Sequence, residues 1–168
     1  MTQPPPKTEA DTIELHLGFL DFYRGVIETK LTGLTEAELT SSRLPSGWSP
    51  LELLKHLVFM ERRWLRWGFA AEQVDEPWGD SGGDPGGRWS VGPDETLAGL
   101  IARLREGGEI TRRLVTGVDP ATRAATGGRF GEEPPTVNWI LFHVLQEYAR
   151  HAGHLDVVRE LADGVTGE

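Results

Sequence analysis

Apolar residues recur at three- and four-residue intervals in four long stretches of this chain, and no stretch alternates convincingly with a period of two. The first runs over about residues 9–32, with Ile13, Leu17, Leu20, Phe22, Val26 and Leu31 near helical spacing and Gly33 as a stop. Thr35 and Glu38 then have the spacing of a capping box, which opens a short helical turn before the 41–47 loop. The second helix has Ser49 as N-cap and Pro50 at the first helical position, where a missing N–H costs nothing. Leu53, Leu57, Met60, Trp64 and Trp67 form its apolar face, and Gly68 marks its end. A third helix is predicted over about 94–116 on the stripe Leu97, Ile101, Leu104, Ile110 and Leu114, with Gly107 and Gly108 expected to bend or weaken it. Asp119 and Pro120 open another short turn. The fourth helix starts from a Thr136 cap and runs to about Asp163. The pattern predicts an all-α four-helix bundle with long crossover loops.

Residues 1–7, with three consecutive prolines, read as a disordered tail, and residues 8–168 as a single domain. Residues 71–92 are loop by composition, and a loop of this length in a compact domain is either an active-site wall or simply a long crossover. Trp78 and Trp89 inside it need a surface to pack on, which favours the wall.

Charge and composition narrow the partners. A formal net charge of −9 with scattered arginines argues against nucleic acid and against an anionic membrane surface. No apolar run approaches the roughly 20 residues of a membrane span, and the N-terminus lacks the basic-then-apolar pattern of a secretory signal, so a cytoplasmic setting is expected. The chain has no cysteine. Any metal must therefore be bound by His, Asp or Glu, and any thiol must come from a small molecule.

The fourth helix holds the candidate chemistry. At about 100° per residue, Ile140, Val144, Leu155 and Val158 fall within roughly 60° of one another, and Glu147 and His151 project into the same arc. A carboxylate directed into a core needs compensation. A metal ion supplies it and also accounts for the neighbouring imidazole, although Glu-x-x-x-His pairs serve on many helices as solvated salt bridges. His56 on the second helix lies roughly 60° from the centre of its stripe, close enough to point inward. Two histidines and a carboxylate from two helices would leave coordination positions for water or substrate. His154, about 60° from His151 on the helix, is placed either as a partner or proton relay behind His151, and hence as the candidate catalytic residue, or as a helix-surface histidine. His143 is expected to be packed and His16 exposed. Arg150 and Arg159 are placed on solvated faces, Trp64, Trp67 and Trp139 in the core, and Glu61, Arg62 and Arg63 in ion pairs at the bundle surface.

His56 within Leu-Leu-Lys-His-Leu, together with His143-x-x-x-Glu147-x-x-x-His151, resembles the DinB superfamily of metal-binding four-helix proteins. The stretches His56-Leu-Val-Phe-Met-Glu61-Arg-Arg-Trp64 and Glu147-Tyr-Ala-Arg-His151-Ala-Gly-His154-Leu-Asp-Val-Val-Arg-Glu160 resemble its mycothiol-transferase branch. The His, Glu, His set is similar to that of the N-terminal domain of mycothiol-dependent maleylpyruvate isomerase. The similarity extends over about residues 9–163. It implies a divalent metal, zinc first and Ni2+ or another divalent ion next, bound by His56, Glu147 and His151. It further implies a metal-dependent S-transferase in which the thiol of mycothiol, or of a similar small thiol, attacks a small electrophile beneath the 71–92 loop. The other functions open to such a bundle are a stress-related metal-binding scaffold and a metal-dependent hydrolase. Exposed bundle faces make a homodimer plausible.

Overall fold

The computed structural model describes residues 3–166; residues 1–2 of the expected disordered tail and 167–168 of the expected domain lie outside the described residues. Among the described residues there are four long α-helices and one short one, besides a π-helix that continues the third: α1 (Thr12–Leu31), α2 (Glu36–Thr40), α3 (Pro50–Arg62), α4 (Leu97–Val115) and α5 (Val137–Asp163). The only β-type pairing among the described residues is an isolated antiparallel bridge between Arg123 and Thr136. None of the described helices is long and apolar enough to cross a membrane.

Each helix begins where a side chain can satisfy its free N–H groups. Asp11 accepts from the Glu14 N–H, Thr96 from Gly99 and Thr136 from Trp139, while Thr35–Glu38 and Ser49–Glu52 form complete capping boxes. The first and third long helices therefore start three residues later than their apolar pattern alone suggests, at Thr12 and Leu97. Pro50 occupies the first turn of α3, and α5 closes on Gly164, whose φ of 76° is the left-handed conformation that glycine adopts without penalty.

The long helices form a ring: α1 packs on α5 and α4, and α3 packs on α4 and α5. Leu17, Leu20, Ile27 and Leu31 of α1, Leu53, Leu54 and Leu57 of α3, Leu100 and Leu104 of α4, and Ile140, Val144 and Leu155 of α5 meet in the centre, nearly or completely shielded from solvent. Ahead of α1, Pro5 rests on the helix at Gly18, where an added Cβ would lie 2.7 Å from the proline Cβ.

Three features depart from the periodic reading. The second helix does not end as an α-helix; it continues as a π-helix over Arg63–Phe69, closed by an Ala70 N–H to Leu65 carbonyl bond of 3.0 Å. Arg63, at the junction of the two helices and one turn after buried Phe59, is 4% exposed instead of lying on the surface, and it is paired there with Asp80. Glu61, also expected at the surface, is buried at 2%. It accepts hydrogen bonds from both Arg24 nitrogens facing it, from the Tyr148 hydroxyl at 2.6 Å and from the Thr111 hydroxyl at 2.5 Å. The reason is that α3 is covered on two sides, by α4 as well as by α5, so a single stripe understates its burial. Last, α4 runs unbroken through Gly107 and Gly108. Gly108 is where the Arg24 guanidinium crosses α4: a Cβ there would lie 2.9 Å from the guanidinium carbon.

Candidate metal centre

His56 lies in the middle of α3, and Glu147 and His151 sit one turn apart on α5. The packing of α3 on α5 brings them together: one ligand atom from each lies within 4.8 Å of the others. His151 is buried and the other two are half-buried. Two imidazole nitrogens and a carboxylate oxygen converging from two helices form a donor set that could hold a divalent ion.

The rings are fixed by contacts outside the cluster. His56 Nδ1 meets Asp80 Oδ2 at 3.0 Å, which leaves Nε2 free to face the cluster. Asp80 is 1% exposed and is held in turn by Arg63 at 2.6 and 3.1 Å. Burial works against both charged forms here, yet the bonds from His56 and Arg63 keep the Asp80 carboxyl below its ordinary pKa. For His56 burial prevails over the Asp80 bond, so its imidazole is held below the usual histidine pKa and stays neutral, as a metal ligand must be. Trp89 stacks on the His56 ring at 4.0 Å and 17°, and also abuts His151. His151 presents Nε2 to Glu147 at 3.3 Å, while its Nδ1 faces His154 Nδ1, also at 3.3 Å. The hydrogen bond from His151, opposed by burial, holds the Glu147 carboxyl low.

Periodicity does not single out Asp80, because it lies in the loop after the π-helix. Three local features place it. Ala71 and Glu76 take positive φ angles of 52° and 45° as the chain turns back. Gly79 lies so close to the Phe59 ring that a Cβ would come within 2.8 Å of it. The Ser90 N–H donates to the Asp80 carbonyl at 2.9 Å, tying the middle of the loop to its C-terminal end. Trp78 packs beneath the Arg63 guanidinium at 4.3 Å. The 71–92 loop thus supplies one wall of the cluster.

The remaining sequence candidates divide clearly. His143 is packed between Trp64 and Trp139, with Nε2 3.9 Å from Glu147. His16 bonds its own helix at the Thr12 carbonyl and does not join the cluster. Trp64 is partly buried against Phe130, Trp139 and His143, but Trp139 is 52% exposed and is not a core residue. From its outward position on α5 its ring stacks on His143 and abuts Trp64. Arg159, expected on a solvated face, binds Asp163 and the carbonyls of Lys30 and Thr32, fastening α5 to the end of α1. The grooves elsewhere, about 120 Å³ between α3 and α4 and about 200 Å³ between α1 and α4, contain none of the three cluster residues.

An all-α bundle with such a cluster between two facing helices fits the class of DinB-like metal-binding proteins. A family model described as MST: Mycothiol-S-transferase matches residues 15–164, and the chain belongs to that family. No curated protein matches it.

Proposed function

We propose that the protein is a metal-dependent S-transferase that joins a small thiol, mycothiol by its family, to a small electrophile. The observation that carries this reading is the convergence of His56, Glu147 and His151 within 4.8 Å in a chain with no cysteine of its own. The nitrogen-rich, uncrowded donor set suits zinc, and accepts Ni2+ or another divalent ion of similar demand. A divalent ion held there would lower the pKa of an incoming thiol and supply a thiolate at neutral pH.

The protein's own residues set the conditions for that chemistry. Asp80, clamped by Arg63, takes the His56 Nδ1 proton in a hydrogen bond and so keeps the Nε2 lone pair toward the cluster. Trp89, stacked on His56, prevents the ring from rotating and shields it from water. His154 Nδ1 lies 3.3 Å from His151 Nδ1; with an ion in the cluster, a bond from the His151 Nδ1–H to His154 would replace the Nε2–H bond to Glu147 and leave the Nε2 lone pair for the ion. We therefore assign His154 a positioning role through His151.

Metal-loaded protein assayed with mycothiol and a panel of electrophiles, with and without chelator, tests the proposal. Thiol-dependent turnover that vanishes on chelation and in His151→Ala is expected. Turnover unaffected by either treatment, or none at any metal loading, would overturn it.

A further inference from the structure

Arg129 has an unusual surrounding for an arginine. Its guanidinium lies 4.3 Å from the ring centre of Trp64, 5.5 Å from that of Trp78 and 5.9 Å from that of Trp67. It is half-buried, and among the described residues no hydrogen bond or ion pair reaches its side chain. Glu132 and Glu133, on the same loop, are exposed and do not pair with it. Indole faces attract a cation but offer its five N–H groups no acceptor in their plane. Arg24 and Arg63, the two arginines fully buried among the described residues, each have a carboxylate.

The placement is built in. The Arg129 N–H donates to the Trp67 carbonyl at 3.0 Å. The preceding residue, Gly128, lies so close to the π-helix that a Cβ would come within 2.2 Å of that same carbonyl. The loop is thus pressed onto the π-helix in a way only glycine permits, and Arg129 follows from it. Trp64 links Arg129 to the cluster: its ring also touches His143 at 4.2 Å, and His143 Nε2 lies 3.9 Å from Glu147. Guanidinium and cluster are therefore two ends of one aromatic wall.

We propose that Arg129 is a specificity residue that binds a carboxylate on the electrophile, the reacting carbon being held at the cluster end of the wall. This rests on the S-transferase reading for the identity of the reaction, but not for the binding of the anion. The sugar and inositol of mycothiol carry no charge, so the carboxylate belongs to the other reactant. A planar, bidentate oxyanion would take up the donor edge that the tryptophans leave free. In the transfer a C–S bond forms at the electrophilic carbon, the bond to its leaving group breaks, the leaving group departs with the electron pair, and the thiol proton passes to solvent.

Two measurements on the full chain test this. In the first, benzoate and benzamide are titrated into chelator-treated protein, read by calorimetry and by the fluorescence of the surrounding tryptophans. Wild type should bind benzoate saturably, Arg129→Gln at least about tenfold more weakly, and Arg129→Lys in between, with benzamide indifferent to the substitution. Equal benzoate binding in wild type and Arg129→Gln, or none in wild type, would overturn the proposal. In the second, metal-loaded protein and mycothiol are assayed with 4-chloro-3-nitrobenzoate and its amide. The ratio of kcat/KM for the anion over the amide should fall about tenfold in Arg129→Gln. An equal loss for both substrates in a variant that melts like wild type would reduce Arg129 to a packing residue. If neither substrate turns over in wild type, the benzoate titration alone decides the role of Arg129, and the transferase reading is decided by the electrophile panel.

Discussion

His56 has two ring nitrogens, and Asp80 engages one of them with a carboxylate that is itself locked by Arg63. A ligand imidazole oriented in this way binds a metal more tightly, because neither tautomer nor ring angle must be found at the moment of binding. Asp80→Asn should weaken divalent metal affinity about 10- to 100-fold, measured by competition with a chromophoric chelator, while the three ligands stay in place. Unchanged affinity would mean that Trp89 stacking alone orients the ring. Glu147 can be judged on the same scale. Its side chain is 24% exposed, so the residue lies at the rim of the cluster and not in the dry core its helical position suggested. The angular position was legible in the sequence; the exposure was not, since it depends on how far α3 and the loop reach over α5. The same limit explains Asp80. His56, Glu147 and His151 obey helical spacing and could be named from it, whereas a loop residue is placed by turns and close approaches that have no period.

At the scale of elements, helical periodicity does not reveal the buried polar centre, although the sequence contains one signal for it. Arg24 stands in the middle of the α1 apolar stripe, and its partner Glu61 is on the flank of α3 that only packing against α4 buries. Burial alone would raise the Glu61 carboxyl, but the Arg24 charge and the bonds from Arg24, Thr111 and Tyr148 outweigh it and hold the pKa below its ordinary value. A carboxyl depressed in the folded state contributes stability that is complete above its unfolded pKa of about 4.3, and loses it as the pH falls through the folded pKa. Glu61→Gln should therefore lower stability at neutral pH by about 3 kcal/mol, the low end for breaking a buried pair because Asp21 still reaches Arg24. The melting points of variant and wild type should converge on acidification. A constant difference down to low pH would show that the charge is not what is lost. Adjacent glycines give a second, sharper contrast. Nothing lies within 4 Å of a Cβ at Gly107, so Gly107→Ala should stabilise α4 by up to about 1 kcal/mol. Gly108→Ala should destabilise instead, since the Arg24 guanidinium it would meet is held by Glu61 and Asp21 and cannot withdraw. Thermal melts of the two variants decide it, and a stabilised Gly108→Ala would show that Arg24 is free to move.

For the whole molecule, the cluster and the core are separable. The apolar residues that fill the ring of helices are buried without help from His56, Glu147 or His151, and the only elements those three join, α3 and α5, already pack on each other. Metal binding should then raise the melting temperature only by mass action, growing with the ratio of free metal to Kd, and the metal-free protein should remain a cooperatively folding bundle. Glu147→Gln removes a partly exposed carboxylate that faces His151 at 3.3 Å and His143 at 3.9 Å, so the metal-free variant should melt within about a degree or two of metal-free wild type. It should also lose the metal-dependent rise together with thiol transfer. A scaffold in which the ion is structural would behave differently: chelation would unfold it, Glu147→Gln would be felt first as lost stability, and no thiol would be consumed at any metal loading. Melting curves and S-transfer assays on wild type and Glu147→Gln, each with and without chelator, separate the two cases. Transfer activity that survives in Glu147→Gln would remove this carboxylate from the mechanism, and leave His56 and His151 as too small a donor set to make a catalytic metal site between α3 and α5.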